Sequence, residues 1–156
     1  LQFEIRLKKS CLKISPFSPM LRLSKRVEYG LIAMQHIAGR SGAVVPAKEI
    51  SEQYNISHEL LSKVLNSLSK SGYLISLQGV QGGYILAQTA SRISVANIIN
   101  AVEGRQNLVE CTVTDDGCSC KTQCTIKNPM EKLQAKIDDV FQSMTIAEMI
   151  QPTILA

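Results

Sequence analysis

The chain has 156 residues, 45% of them hydrophobic and 19% charged, which suits one core with an appendage and not several domains. No stretch reaches the uncharged apolar length of a membrane span. The first nineteen residues also lack the apolar run and small-residue cleavage site of a secretory leader, so a cytoplasmic protein with no membrane partner is expected. The net charge of +4 is concentrated at one end: Arg6, Lys8, Lys9 and Lys13 against Glu4 leave only +1 from Met20 onward, so bulk charge alone does not mark a nucleic-acid binder.

Residues 1–19 show no clean period and close on Ser15-Pro16-Phe17-Ser18-Pro19, whose prolines bar a helix from running on. They are expected to be a disordered extension, or a stretch ahead of a true start at Met20, with a basic arm as the alternative. The isolated Cys11 is given no role.

Regular patterning begins at Met20. Ser24 can cap a helix from Lys25 to about Gly39 with Val27, Leu31, Met34 and Ile37 on one face. A short helix starts near Pro46, where a missing N–H costs nothing, and buries Ile50. Asn55, which tolerates the left-handed conformation, turns the chain. Ser57 is expected to cap a third helix whose Leu60, Leu61, Val64, Leu65 and Leu68 form an apolar stripe, while His58, Glu59, Ser62, Lys63 and Asn66 face away. Tyr73 to Leu77 and Tyr84 to Ala87 read as two strands. Gly79, Gly82 and Gly83 in the loop between them supply positive φ and the room for a close approach.

A helix-turn-helix followed by a two-stranded wing is a DNA-reading layout. Ser57, His58, Glu59, Ser62 and Lys63 offer groups that reach base edges or phosphates, and Gln78, Gly79, Gln81 and Gly82 form the wing loop. The fold expected is mainly α with a small β wing: a winged helix-turn-helix domain over residues 20–104, a cysteine loop over 105–127, and a long dimerisation helix with a short terminal helix over 128–150. Ser94 caps the last helix of the first unit, with Ile98, Ile99 and Val102 inward. Asn128-Pro129 opens the long one. Met130, Leu133, Ile137, Val140, Phe141 and Met144 recur along it at near-heptad spacing, a narrow stripe suited to a partner helix or, alternatively, to the chain's own winged domain.

Cys111, Cys118, Cys120 and Cys124 lie in one polar loop. Thiolates gathered this closely in a reducing compartment are claimed by soft metals or iron–sulfur clusters. Zinc and a thiol–disulfide switch stay open as alternatives, although the Cys-x2-Cys knuckle usual for zinc is missing. An enzyme is not expected, since no nucleophile–base–orienter set is present and Gly79 to Gly83 lacks the lysine and following helix of a phosphate loop.

From Met20 to Met149 the sequence resembles the IscR-type family of winged-helix regulators, which includes iron–sulfur, nitric-oxide and cysteine-metabolism sensors. The resemblance is carried by Leu21-Arg22-Leu23-Ser24-Lys25 with Glu28-Tyr29-Gly30, by Lys48 to Glu52, by Ile56 to Leu68, and by Gly72 to Ser76 leading through Gly79 into Gly82 to Ala87. Cys-x6-Cys-x5-Cys and Thr145 to Met149 complete it. It implies a homodimeric repressor on a double-stranded DNA operator, with a 2Fe-2S or 4Fe-4S cluster whose thiolate ligands fall on Cys111, Cys118 and Cys124.

Iron–sulfur-assembly regulators of this type place a histidine three residues after the third cysteine, where Lys127 stands here. Other relatives use an acidic residue from the first helix of the second subunit. Glu28 holds that place, and Cys120 is the local rival for the fourth ligand. Many relatives also carry an arginine at the start of the wing loop, where this chain has Gln78. A cluster-free repressor and a non-DNA redox or metal carrier remain as competing functions.

Overall fold

The computed structural model of the chain describes residues 22–40, 42–108 and 124–150. The expectations placed on residues 1–19, Cys11, Cys111, Cys118 and Cys120 lie outside these described residues.

The chain opens with α1 (Lys25–Gly39), whose cap is as expected: the Ser24 hydroxyl accepts from the backbone N–H of Val27 at 3.3 Å. Pro46 precedes α2 (Ala47–Gln53) as its N-cap. The turn to α3 (His58–Lys70) runs through Asn55 at φ 51°. Strands β1 (Leu74–Leu77) and β2 (Gly83–Leu86) pair antiparallel with Leu74 opposite Leu86 and Leu77 opposite Gly83. A 3-10 turn at Ala90–Arg92 leads into α4 (Val95–Glu103). Its reciprocal capping box ties the Ser94 hydroxyl to the Asn97 N–H and the Asn97 side chain to the Ser94 N–H. Two further helices follow, α5 (Lys127–Ser143) and α6 (Ile146–Ile150). Among the described residues no helix is long and apolar enough to cross a membrane.

The core forms where α1, α3 and α4 meet. Val27, Met34, Leu61, Val64, Leu65, Leu68 and Ile98 have no exposed surface, and each such side chain contributes about 1.5–3 kcal/mol relative to leaving it in water. The last described segment belongs to the same core. Thr145 forms an antiparallel bridge with Ser94, the Ile146 N–H donates to the Ile93 carbonyl at 2.8 Å, and the Ile146 side chain is completely buried. A second reciprocal cap, Thr145 with Glu148, starts α6, and Gln35 on α1 donates to the Met149 carbonyl at 2.6 Å.

Three local expectations change. Leu60 is 43% exposed and does not belong to the α3 stripe; at about 100° per residue it sits roughly 40° outside the arc of Leu61, Val64, Leu65 and Leu68. Ser57 takes the N-cap position of α3 without making a side-chain cap. α5 begins at Lys127 with Ile126 before it, so Asn128 and Pro129 lie inside its first turn, where Pro129 still forfeits only an N–H that has no helical partner.

Candidate nucleic-acid interface and cluster site

α3 presents one closed and one open face. Burial of Leu61, Val64, Leu65 and Leu68 turns His58, Glu59, Lys63 and Asn66 to solvent, with Ser62 half-exposed between them. Lys63 donates to Glu59 across one turn at 2.7 Å, and that hydrogen bond holds the Glu59 carboxyl below the usual glutamate range. His58 Nδ1 and Ser62 Oγ lie 3.5 Å apart. The Ser57 hydroxyl, free of capping, stands at the head of the same face. Leu60 adds an apolar group beside it, of the kind that meets a thymine methyl.

The wing is set by its glycines in two different ways. Gly79 alone among them takes a positive φ, 113°, which turns the loop. Gly82 and Gly83 are there for space. A Cβ on Gly82 would lie 2.6 Å from the Leu77 carbonyl oxygen, and one on Gly83 would lie 2.5 Å from the Val45 carbonyl oxygen and 2.9 Å from the Pro46 nitrogen. The second approach is a bridge: the Val45 N–H donates to the Tyr84 carbonyl at 3.0 Å, and the Tyr84 N–H returns the bond at 2.9 Å. The linker ahead of α2 thus pairs with β2 and anchors the wing to the helix-turn-helix. Gln78, Gly79, Val80 and Gln81 are all exposed at the tip. Sequence reasoning missed Val45, because its partner is far along the chain and a single bridge leaves no period to read.

Behind this surface, α1 is locked to α2 by His36. Its side chain is 6% exposed, its Nε2 donates to Glu49 Oε1 at 3.0 Å, and its Nδ1 lies 3.2 Å from the Tyr54 hydroxyl, whose ring meets the imidazole edge-on at 5.6 Å. The hydrogen bond from His36 is the main reason that the Glu49 carboxyl lies below the usual glutamate range, and Arg40, paired with the same oxygen, adds to it. His36 is thus a packed structural residue.

Of the cluster candidates, Cys124 is a free, half-buried thiol three residues before α5. Glu28 is half-buried on α1 with its carboxylate paired to Lys25. The thiolate donor set that the sequence places in this loop, with Cys124 unpaired at its end, fits an iron–sulfur group. Leu108, before the loop, and Gln134 on α5 line a groove of about 670 Å3 with Arg22, Leu23 and Ile99. Gln134 is the only buried residue of α5 among those described, whereas Leu133 is 41%, Met144 50% and Val140 62% exposed.

Comparison with known proteins agrees with this architecture. A putative HTH-type transcriptional regulator of Aquifex aeolicus is 30% identical over 129 residues, covering 81% of this chain and 90% of its own. The HTH-type transcriptional regulator IscR of Yersinia pseudotuberculosis is 30% identical over 131 residues, covering 83% and 79%. Among solved structures, CymR, the global cysteine regulator of B. subtilis, superposes with a TM-score of 0.67 at 26% identity over 84% of this chain and 97% of its own. IscR of T. potens superposes at 0.63 with 32% identity over 84% and 87%. Residues 23–152 match the Rrf2 family, described as iron-dependent transcriptional regulators, and the chain is therefore a winged-helix, DNA-binding transcription regulator of the Rrf2 family.

Proposed function

We propose that the protein is a homodimeric repressor whose affinity for a double-stranded operator is set by an iron–sulfur cluster. The carrying observation is the Cys-x6-Cys-x5-Cys spacing of Cys111, Cys118 and Cys124 between the DNA-reading unit and α5, in a chain of this family. When bound, the cluster supplies a redox- and ligand-sensitive tie between these thiolates, with Glu28 of the partner subunit as the fourth, exchangeable ligand. The chain's own residues do the rest. Ser57, His58, Glu59, Ser62 and Lys63 read the major groove, and the wing tip at Gln78 to Gly82 lies along the backbone or minor groove. Coupling between the loop and the spacing of the two recognition helices runs through α5, which adjoins α4, and through α4, which packs on α1 and α3.

Dimerisation is supported by α5 itself. Leu133, Val140 and Met144 are exposed along one side of the helix, beside a groove lined by Ile137 and Phe141, and such an apolar stripe is suited to cover by the same helix of a second copy. A second reading is favoured by the likeness to a cysteine regulator: a cluster-free repressor in which the same cysteines respond as thiols.

The deciding experiment is anaerobic purification of the full chain with a visible spectrum and iron and acid-labile sulfide analysis. Coloured protein with matched iron and sulfide, lost on Cys111→Ser, Cys118→Ser or Cys124→Ser, is expected. Colourless protein with stoichiometric zinc, or with reversible disulfides alone, would move the function to the thiol or structural-metal reading. Within coloured protein, Glu28→Ala should alter the spectrum and hasten loss in air while Cys120→Ala changes little; the reverse pattern assigns the fourth ligand to the loop.

A further inference from the structure

The only buried position of α5 among the described residues is occupied by a glutamine, and its amide is spent on the chain that leads into the cysteine loop. Gln134 Oε1 accepts from the Leu108 N–H at 2.8 Å, and Nε2 donates both to the Gln106 carbonyl at 3.2 Å and to Asp138 Oδ1 at 2.8 Å. Asp138 and the Gln106 carbonyl are acceptors only, so they require the NH2 side of the amide, which leaves the oxygen for Leu108. Both amide protons and one lone-pair direction are thereby used in a buried site, where each unmade bond costs about 1–3 kcal/mol. Leu108 precedes Cys111 by three residues, and Cys124 precedes the start of α5 by three. The two ends of the cysteine-bearing stretch therefore depart from the same helix, one fixed by Gln134 and the other by the helix start.

We infer that Gln134 is a positioning residue that fixes the two ends of the cysteine-bearing stretch against each other by holding residues 106–108 to α5, with Asp138 orienting its amide. The inference rests on the cluster reading above for its consequence but not for its geometry. A leucine in this place would fill the same volume and leave the Leu108 N–H and the Gln106 carbonyl unpaired, releasing residues 106–108 from α5. Gln134→Glu keeps an acceptor for Leu108 but has no proton for Gln106 and sets a second carboxylate against Asp138.

The test compares full-length wild type, Gln134→Leu and Gln134→Glu. In anaerobically purified protein, Gln134→Leu should lose its visible absorbance in air about 10-fold faster than wild type, the scale typical of groups that orient metal ligands, with Gln134→Glu between. Asp138→Asn placed on Gln134→Glu should recover part of the loss, because it replaces a repelling carboxylate by a donor. Cluster-free protein carrying Cys11→Ser, Cys118→Ser and Cys120→Ser leaves Cys111 and Cys124 for bridging by dibromobimane. Bridging should fall severalfold with Gln134→Leu when it is measured well below the melting temperature, which the two unpaired backbone groups lower, while the operator affinity of the cluster-free dimer changes little. If Gln134→Leu fails to fold, Gln134→Glu carries the same comparison. Equal bridging yields and equal absorbance half-lives in the variants overturn the inference. A wild-type protein that is never coloured refutes the cluster reading alone, and reduced bridging in that same protein still supports Gln134 as the residue that places the thiols.

Discussion

Gly83→Ala tests how the wing is held. The added methyl carbon would stand 2.5 Å from the Val45 carbonyl oxygen, 2.7 Å from its carbon and 2.9 Å from the Pro46 nitrogen, all backbone atoms that cannot rotate away. Relief requires the linker ahead of α2 to move off β2, which breaks the two hydrogen bonds between Val45 and Tyr84 at about 0.5–1.5 kcal/mol each, or the clash persists at a similar overpacking cost. Either route destabilises the protein by about 1–3 kcal/mol. For a chain of this size that lowers the melting temperature by about 2–4 °C per kcal/mol. Because the displaced element is the wing, operator affinity, measured by fluorescence anisotropy well below the melting transition, should fall further than the stability read by differential scanning calorimetry. An alanine variant that melts within a degree of wild type and binds operator equally well would show that the linker–wing bridge neither needs the glycine nor positions the DNA surface.

Lys63→Ala removes a cation and also frees the Glu59 carboxylate it holds, so binding to any duplex should weaken and the slope of log affinity against log salt should drop by about one; an unchanged slope places Lys63 off the phosphates. For pH dependence, Glu49 has its carboxyl held low by the His36 hydrogen bond, so the stability this contributes is present above the ordinary glutamate range and is lost as pH falls through the lowered value. Glu49→Gln should therefore lower the urea midpoint at neutral pH and flatten its decline in acid, whereas parallel acid limbs for variant and wild type would contradict the assignment.

The helices and wing were legible because each obeys a local rule: Ser24 and Ser94 cap, Asn55 turns, and α3 segregates its faces by the 3.6-residue period. Errors fell where tertiary neighbours decide. Leu60 satisfies the spacing of an apolar stripe but finds no covering element, and of the three wing glycines expected to combine positive φ with room for a close approach, only Gly79 takes the positive φ, whereas Gly82 and Gly83 provide the room. The solvent-facing positions of α3 could be named from sequence, since polarity and period coincide there. Gln134 could not, because a lone glutamine on a helix reads as solvent-facing until its backbone partners at 106 and 108 are known. The cysteine spacing was plain, yet spacing alone does not choose among cluster, zinc and thiol chemistry.

The return of the chain at Thr145 has a practical consequence for anyone dividing this protein. Ile146 closes the core between the 3-10 turn and α1, so α6 is a plug for the DNA-reading unit supplied from beyond the long helix. Cutting after residue 104 to obtain a minimal DNA-binding fragment would leave an isoleucine-sized hole, strip the Ser94 bridge and leave the Ile93 carbonyl without its partner. The long helix is thus stitched to the unit it follows just past its own C-terminal end, so a movement of that end is felt directly by the 3-10 turn and α1.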